Sequence, residues 1–215
     1  FTQTITYLEE GDWAVIHRDS VEIRDETGAV VVRPRVKTAA GSMLVDKGNH
    51  RHFMAKEIHE QPEVISHTLA AYLDLSQGKT RFPDLGVDLS RISRVTISAC
   101  GTAYFAGLVG KYWLERYARL PVEIDVASEF RYREAPLPQD GLALFISQSG
   151  ETADTLAALR YCKQHGQHIA SVVNVRTSTI ARESASVLPT LAGPEIGVAS
   201  TKAFTCQLTV LASLA

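Results

Sequence analysis

In Leu144-Phe145-Ile146-Ser147-Gln148-Ser149-Gly150-Glu151-Thr152-Ala153-Asp154-Thr155 a short apolar run breaks into hydroxyl residues, an amide and a glycine. A helix-forming pattern resumes at Leu156. That order predicts a buried parallel strand, a tight turn and a helix N-terminus. The first turn of a helix carries free backbone N–H groups and roughly half a positive charge. Ser147, Ser149 and Thr152 add hydroxyls, Gln148 an amide, and Gly150 lets the backbone come close. The expected result is an anion cradle without a lysine, suited to phosphate. A serine nucleophile on a strand-to-helix elbow needs Gly-x-Ser-x-Gly, and Ser147 and Glu151 stand where its glycines belong. A single hydroxyl would be read as a helix cap; three hydroxyls and a glutamine exceed what a cap needs. Glu151 must point away, because a carboxylate some 4 Å from a phosphate costs about 4 kcal/mol per charge pair at an effective dielectric of 20.

The surrounding chain of 215 residues has room for one domain and an appendage. A net charge of −2 argues against a nucleic-acid or anionic-membrane partner, and no run is apolar enough to span a bilayer. Cys100, Cys162 and Cys206 are scattered, which fits reduced thiols in a cytoplasmic protein. The chain opens on Phe1 and stops in an apolar stretch at Ala215, so a fragment is expected.

Downstream of Arg94 strands and helices alternate. Strands are expected at Val95–Ala99, Val122–Val126, Leu142–Ile146, Ile169–Val173 and Ala185–Leu188. Helices are expected at Tyr104–Tyr117, Glu129–Arg133, Ala153–His165 and Ala203–Ala215. Such alternation predicts an α/β domain with a parallel sheet between helices, and ligands at the carboxyl ends of its strands. Three turns meet that rule: Cys100-Gly101-Thr102-Ala103, the cradle, and Gly197-Val198-Ala199-Ser200-Thr201-Lys202. Gly-x-x-x-x-Gly-Lys-Ser/Thr and Gly-x-Gly-x-x-Gly are absent, which favours a small phosphorylated molecule over a nucleotide.

Upstream, Trp13–Ile16, Val21–Arg24 and Val30–Val32 read as strands, too few to form a core alone. Lys37–His52 reads as a linker, with His50-Arg51-His52 solvated rather than metal-binding. A helical pattern over Met54–Leu75 is broken at Gln61-Pro62, and Gly78 and Pro83 mark a loop.

The cradle, the Cys100-Gly101-Thr102 turn, Ala127-Ser128-Glu129-Phe130-Arg131-Tyr132-Arg133 and Glu195-Ile196-Gly197-Val198-Ala199-Ser200-Thr201-Lys202-Ala203-Phe204-Thr205 stand in one order. Tyr7-Leu8-Glu9-Glu10-Gly11-Asp12 and Met54-Ala55-Lys56-Glu57-Ile58-His59-Glu60-Gln61-Pro62 precede them. Together these segments resemble the glutamine–fructose-6-phosphate aminotransferase (isomerizing) family, also called the glucosamine-6-phosphate synthases. The resemblance implies that residues 1–43 end an N-terminal-nucleophile glutaminase domain and residues 44–85 form a linker and lead-in helix. Residues 86–215 would then be the first of two sugar-isomerase (SIS) domains, a five-stranded parallel sheet between helices. It implies fructose 6-phosphate and glucosamine 6-phosphate as ligands, glutamine as substrate of the upstream domain, a cytoplasmic homodimer, and no metal or other cofactor.

By the same resemblance Ser147, Gln148, Ser149 and Thr152 hold the sugar phosphate, Thr102 faces the sugar, and Val198 and Ser200 line the pocket. Ala103 stands where many members carry serine; the lost hydroxyl is worth about 0.5–1.5 kcal/mol, and the Ala103 N–H remains. The family's cysteine nucleophile, isomerase base, ring-opening histidine and Schiff-base lysine fall outside this chain, so alone it is expected to be inert. Lys202 is expected near the phosphate or in a structural role, because nothing nearby suggests the lowered pKa a Schiff base needs. The alternative is a phosphosugar-sensing SIS module of a regulator, although no basic helical pair precedes Arg94.

Overall fold

The computed structural model describes residues 4–37, 46–83 and 85–215. The chain divides into two compact units, Phe1–Asp46 and Lys47–Ala215. The Met43 boundary and half of the expected Lys37–His52 linker, residues 38–45, lie outside the described residues.

In the first unit β1 (Thr4–Thr6) pairs antiparallel with β5 (Arg35–Lys37), and β2 (Trp13–Ile16), β3 (Val21–Arg24) and β4 (Val30–Val31) form a meander. Arg33 Nε and Nη2 donate to the two oxygens of Asp12 at 2.8 Å each. That fork, with the Glu9 N–H, pulls the Asp12 carboxyl down to about 2.

In the second unit α1 (Phe53–Tyr72) leads to a short hairpin of β6 (Leu73–Asp74) and β7 (Lys79–Thr80). Five parallel strands follow: β8 (Arg94–Ala99), β9 (Val122–Val126), β10 (Gly141–Ser147), β11 (His168–Val173) and β12 (Ser186–Pro189). The helices between and after them are α2 (Gly101–Trp113), α3 (Ala127–Arg133), α4 (Ala153–Gln164), α5 (Thr179–Glu183) and α6 (Lys202–Leu214). The strands lie in the order β12-β11-β10-β8-β9, with β10 central and wholly buried. Because side chains alternate across a strand, β10 serves both layers. Leu142, Leu144 and Ile146 pack with α2 and α6, while Ala143 and Phe145 pack with α3, α4 and α5. The chain winds outward in one direction from β8 and in the other from β10. The order therefore reverses between those two strands, where ligands of such sheets bind.

Four local expectations are corrected. Helix α1 is not interrupted at Pro62: Gln61 Nε2 donates to Ile58 O at 3.0 Å, satisfying the carbonyl that a proline leaves without its N–H. Helix α2 begins at Gly101, three residues before the expected Tyr104, because Gly101 takes φ +58° directly after the strand. Between Val173 and Ala185, where the sequence predicts no element, the chain forms α5, whose Ser178 hydroxyl accepts from Ala181 N. The loop after Leu75 is the turn of the β6–β7 hairpin.

Two buried hydroxyls, Ser98 Oγ on β8 and Ser171 Oγ on β11, have no hydrogen-bond partner among the described residues and flank Phe145 in register. Burying an unpaired hydroxyl costs about 1–3 kcal/mol. Ser171→Ala should therefore leave stability unchanged or raise it by about 1 kcal/mol in urea unfolding. A clear loss of stability would show that the hydroxyl is bonded.

Candidate functional site

The carboxyl ends of β8 and β10 run directly into α2 and α4, so both helices begin at the switch in strand order. A cavity of about 420 Å³ opens there, within the size range of small-molecule sites. Thr102, Ala103, Ser147, Gln148, Ser149, Thr152, Val198 and Ser200, which the sequence singles out, all line it. The three turns thus converge. Among the described residues no charged side chain lines the cavity.

The cradle turn is held from within. Ser147 Oγ accepts the Gly150 N–H at 3.0 Å and lies 3.1 Å from Thr152 Oγ1; Ser149 Oγ accepts the Glu151 N–H at 3.2 Å. The first intrahelical bond of α4 runs from Leu156 N to Thr152 O at 2.9 Å, so the N–H groups of its first turn have no helical acceptor. Glu151 points away as expected, its Oε1 accepting Thr179 N at 2.8 Å at the start of α5. Asp154, also in that first turn, is engaged by Arg131 at 2.8 Å. Gly150 has a further role within the chain: at φ +67°, a Cβ there would lie 2.0 Å from Ser178 Oγ. The glycine admits the start of the chain's own neighbouring helix α5.

The third wall depends on carboxylates that the sequence did not single out. Glu57, 2% exposed on α1, accepts Ile196 N at 2.5 Å and Gly197 N at 3.1 Å. Glu195 accepts Ser200 Oγ and Thr201 N at 2.9 Å and Ala203 N at 3.1 Å, so it caps α6. The start of α6 is therefore already paired with a negative charge, and α2 and α4 are left to face an anion. Of the two roles expected of Lys202, the structure bears out the structural one. It is buried, its Nζ lies 2.6 Å from Glu60 Oε2, and it does not line the cavity. Burial pushes the Glu60 carboxyl up, but the Lys202 hydrogen bond and charge, with Lys56, bring it below its ordinary value. A legible signal for Glu57 existed: it lies seven residues before Val64, on the apolar face of α1.

Cys100, Gly101, Ile146, Ala199 and Gln207 complete the lining; the first four belong to the three turns without having been assigned individual roles, and Gln207 lies outside them. A second cavity of about 450 Å³ follows the edge strand β12, lined by Tyr72, Phe82, Pro83, Arg81 and Arg176 among others. It is slightly larger, but it has no hydroxyl-rich turn and no helix start.

The SIS domain family matches residues 88–215. Over its whole length the chain is 70% identical to a glutamine–fructose-6-phosphate aminotransferase (isomerizing) of Mesorhizobium japonicum and 67% identical to one of Brucella abortus biovar 1. It spans 35% of the length of each. A solved structure, the C-terminal domain of glucosamine-fructose-6-phosphate aminotransferase from Francisella tularensis, is 44% identical with a TM-score of 0.73. That match covers 79% of this chain and 48% of the other.

If Glu57 is what holds the Ile196–Gly197 segment, Glu57→Ala should cost at least about 1.5–3 kcal/mol, the worth of a hydrogen bond to a charged group. Gly197→Ala should act similarly, because its Cβ would lie 2.5 Å from Glu57 Oε2. Urea unfolding checks both, and wild-type stability in both variants would contradict the account.

Proposed function

The chain belongs to the SIS domain family, and from that premise we propose that it is the sugar-phosphate-binding portion of a glutamine–fructose-6-phosphate aminotransferase (isomerizing). In this reading residues 1–43 end the glutaminase domain, residues 44–85 are linker and lead-in helix, and residues 86–215 are the first SIS domain. The observation that carries the reading is the uncharged, hydroxyl-lined cavity between the starts of α2 and α4. Identity of 70% across the whole chain supports the particular enzyme.

The phosphate of fructose 6-phosphate is held at the first turn of α4 and the turn before it. Ser149 and Thr152 donate hydroxyls, Gln148 its amide, and the backbone N–H groups the remaining bonds. Ser147 acts partly by shaping the turn, since its oxygen already accepts the Gly150 N–H. The first turn of α2, with Thr102 and the Ala103 N–H, closes the second side, and Val198 and Ser200 form the wall beyond. The portion contributed here binds and orients the sugar phosphate; ammonia release and isomerisation belong to the rest of the enzyme.

Thermal melting of the intact protein tests this reading. Fructose 6-phosphate and glucose 6-phosphate should both raise the melting temperature, and fructose should not. Ser149→Ala should weaken fructose 6-phosphate binding by roughly ten- to a hundredfold. Equal shifts from fructose and its phosphate would contradict a phosphate site.

A further inference from the structure

Between β12 and α6 the chain has no regular structure, so its backbone N–H groups must find acceptors elsewhere. Side-chain burial does not hold the middle of this stretch, because Ile196 and Val198 are both exposed. Glu57 holds it instead. From α1 its Oε1 accepts Ile196 N at 2.5 Å, and its two oxygens share Gly197 N at 3.1 Å each. The fit leaves no slack: a Cβ on Gly197 would meet Glu57 Oε2 on one side and the Met54 backbone, at 3.5 Å, on the other. The next three residues, Val198, Ala199 and Ser200, line the cavity, and Glu195 fixes their far end through Ser200 Oγ and Thr201 N. Glu57 stands behind that wall, outside the cavity lining and outside residues 88–215 that match the SIS domain. A helix that precedes the domain thus positions part of its site.

The opposite wall is held by other bonds. Ser147 and Ser149 close the cradle from within, and Glu151 ties it to the start of α5. Disturbing Glu57 should therefore move one wall and leave the other. We propose that Glu57 is a positioning residue for the sugar portion of the ligand: it sets where Val198, Ala199 and Ser200 meet the carbon chain and has no bearing on the phosphate. This rests on the sugar-phosphate reading of the cavity and adds to it a determinant of sugar binding in α1. Both carboxylate oxygens are in use, so an amide of the same size would turn an NH2 donor toward a backbone donor and release it.

The test is Glu57→Gln in the intact protein, with Glu57→Asp as a second variant in case the first folds poorly. Thr68→Val is the control. Thr68 is also buried on α1, but its hydroxyl accepts Leu191 N at 3.2 Å, away from the wall. The melting temperature, the ligand-free amide chemical shifts, and the affinities for fructose 6-phosphate and inorganic phosphate by calorimetry are measured for each. Glu57→Gln should move the amide resonances of Ile196, Gly197 and Val198 and leave those of Gln148 and Ser149 in place. Fructose 6-phosphate should bind about three- to tenfold more weakly, the worth of one neutral hydrogen bond. Inorganic phosphate affinity should not change, and Glu57→Asp should show the same split. Thr68→Val should lower the melting temperature and leave both affinities at the wild-type value. Unchanged fructose 6-phosphate affinity in a folded Glu57 variant overturns the proposal. So does equal weakening of both ligands, or a loss in Thr68→Val that matches Glu57→Gln, since either would make the role of Glu57 purely structural. Failure of the wild-type protein to bind fructose 6-phosphate would overturn the site reading itself, and this inference with it.

Discussion

In the proposed reading, a phosphate dianion held without a cation draws its stabilisation from backbone dipoles, and two helix starts of this domain stand together where they can supply it. The strand order β12-β11-β10-β8-β9 reverses between β8 and β10, so α2 and α4 leave the sheet on opposite faces with their first turns at one place. Each helix start carries roughly half a positive charge, so the two supply about one between them, with hydroxyl donors adding to it. The carboxylates nearest the turn are withdrawn. Glu151 is bonded to the start of α5 and Asp154 to Arg131.

The wall facing these helix starts is set by different forces. Glu57 takes the two backbone N–H groups of Ile196 and Gly197, and Glu195 takes those at the start of α6. Lys202 and Glu60 tie the same helix back to α1. A buried carboxylate is tolerated only where such bonds replace its water, and breaking them would leave the chain around Val198 without its main anchor. Val198 itself is fully exposed at the rim, so backbone anchoring, rather than side-chain burial, determines where it stands. The cavity thus has one wall made of helix starts and hydroxyls and another held in place by paired carboxylates.

Much of this was legible in the sequence, and the gaps have physical causes. The parallel strands announced themselves as short apolar runs because both faces are buried, and the cradle announced itself because hydroxyls and a glycine crowd one turn. Pro62 misled because its consequence is cancelled by the neighbouring Gln61 amide, which no periodicity reveals. The packing role of Gly150 was not legible, because the residue that leaves no room for a Cβ there is Ser178, 28 residues away in sequence. Glu57 and Gln207 were missed for one reason: each is a polar residue at an apolar helix position. The sequence marks such residues as anomalies, and only packing tells what they face.

The central claim is that ligand phosphate sits at the α2 and α4 starts rather than in the slightly larger groove beside β12. Backbone amide chemical shifts, followed while fructose 6-phosphate is titrated into the intact protein, test it most directly. The account predicts the largest shifts at Thr102, Ala103 and Gln148–Thr155, with smaller ones at Val198–Ser200. Largest shifts around Tyr72, Arg81 and Arg176, with the cradle amides unmoved, would contradict it.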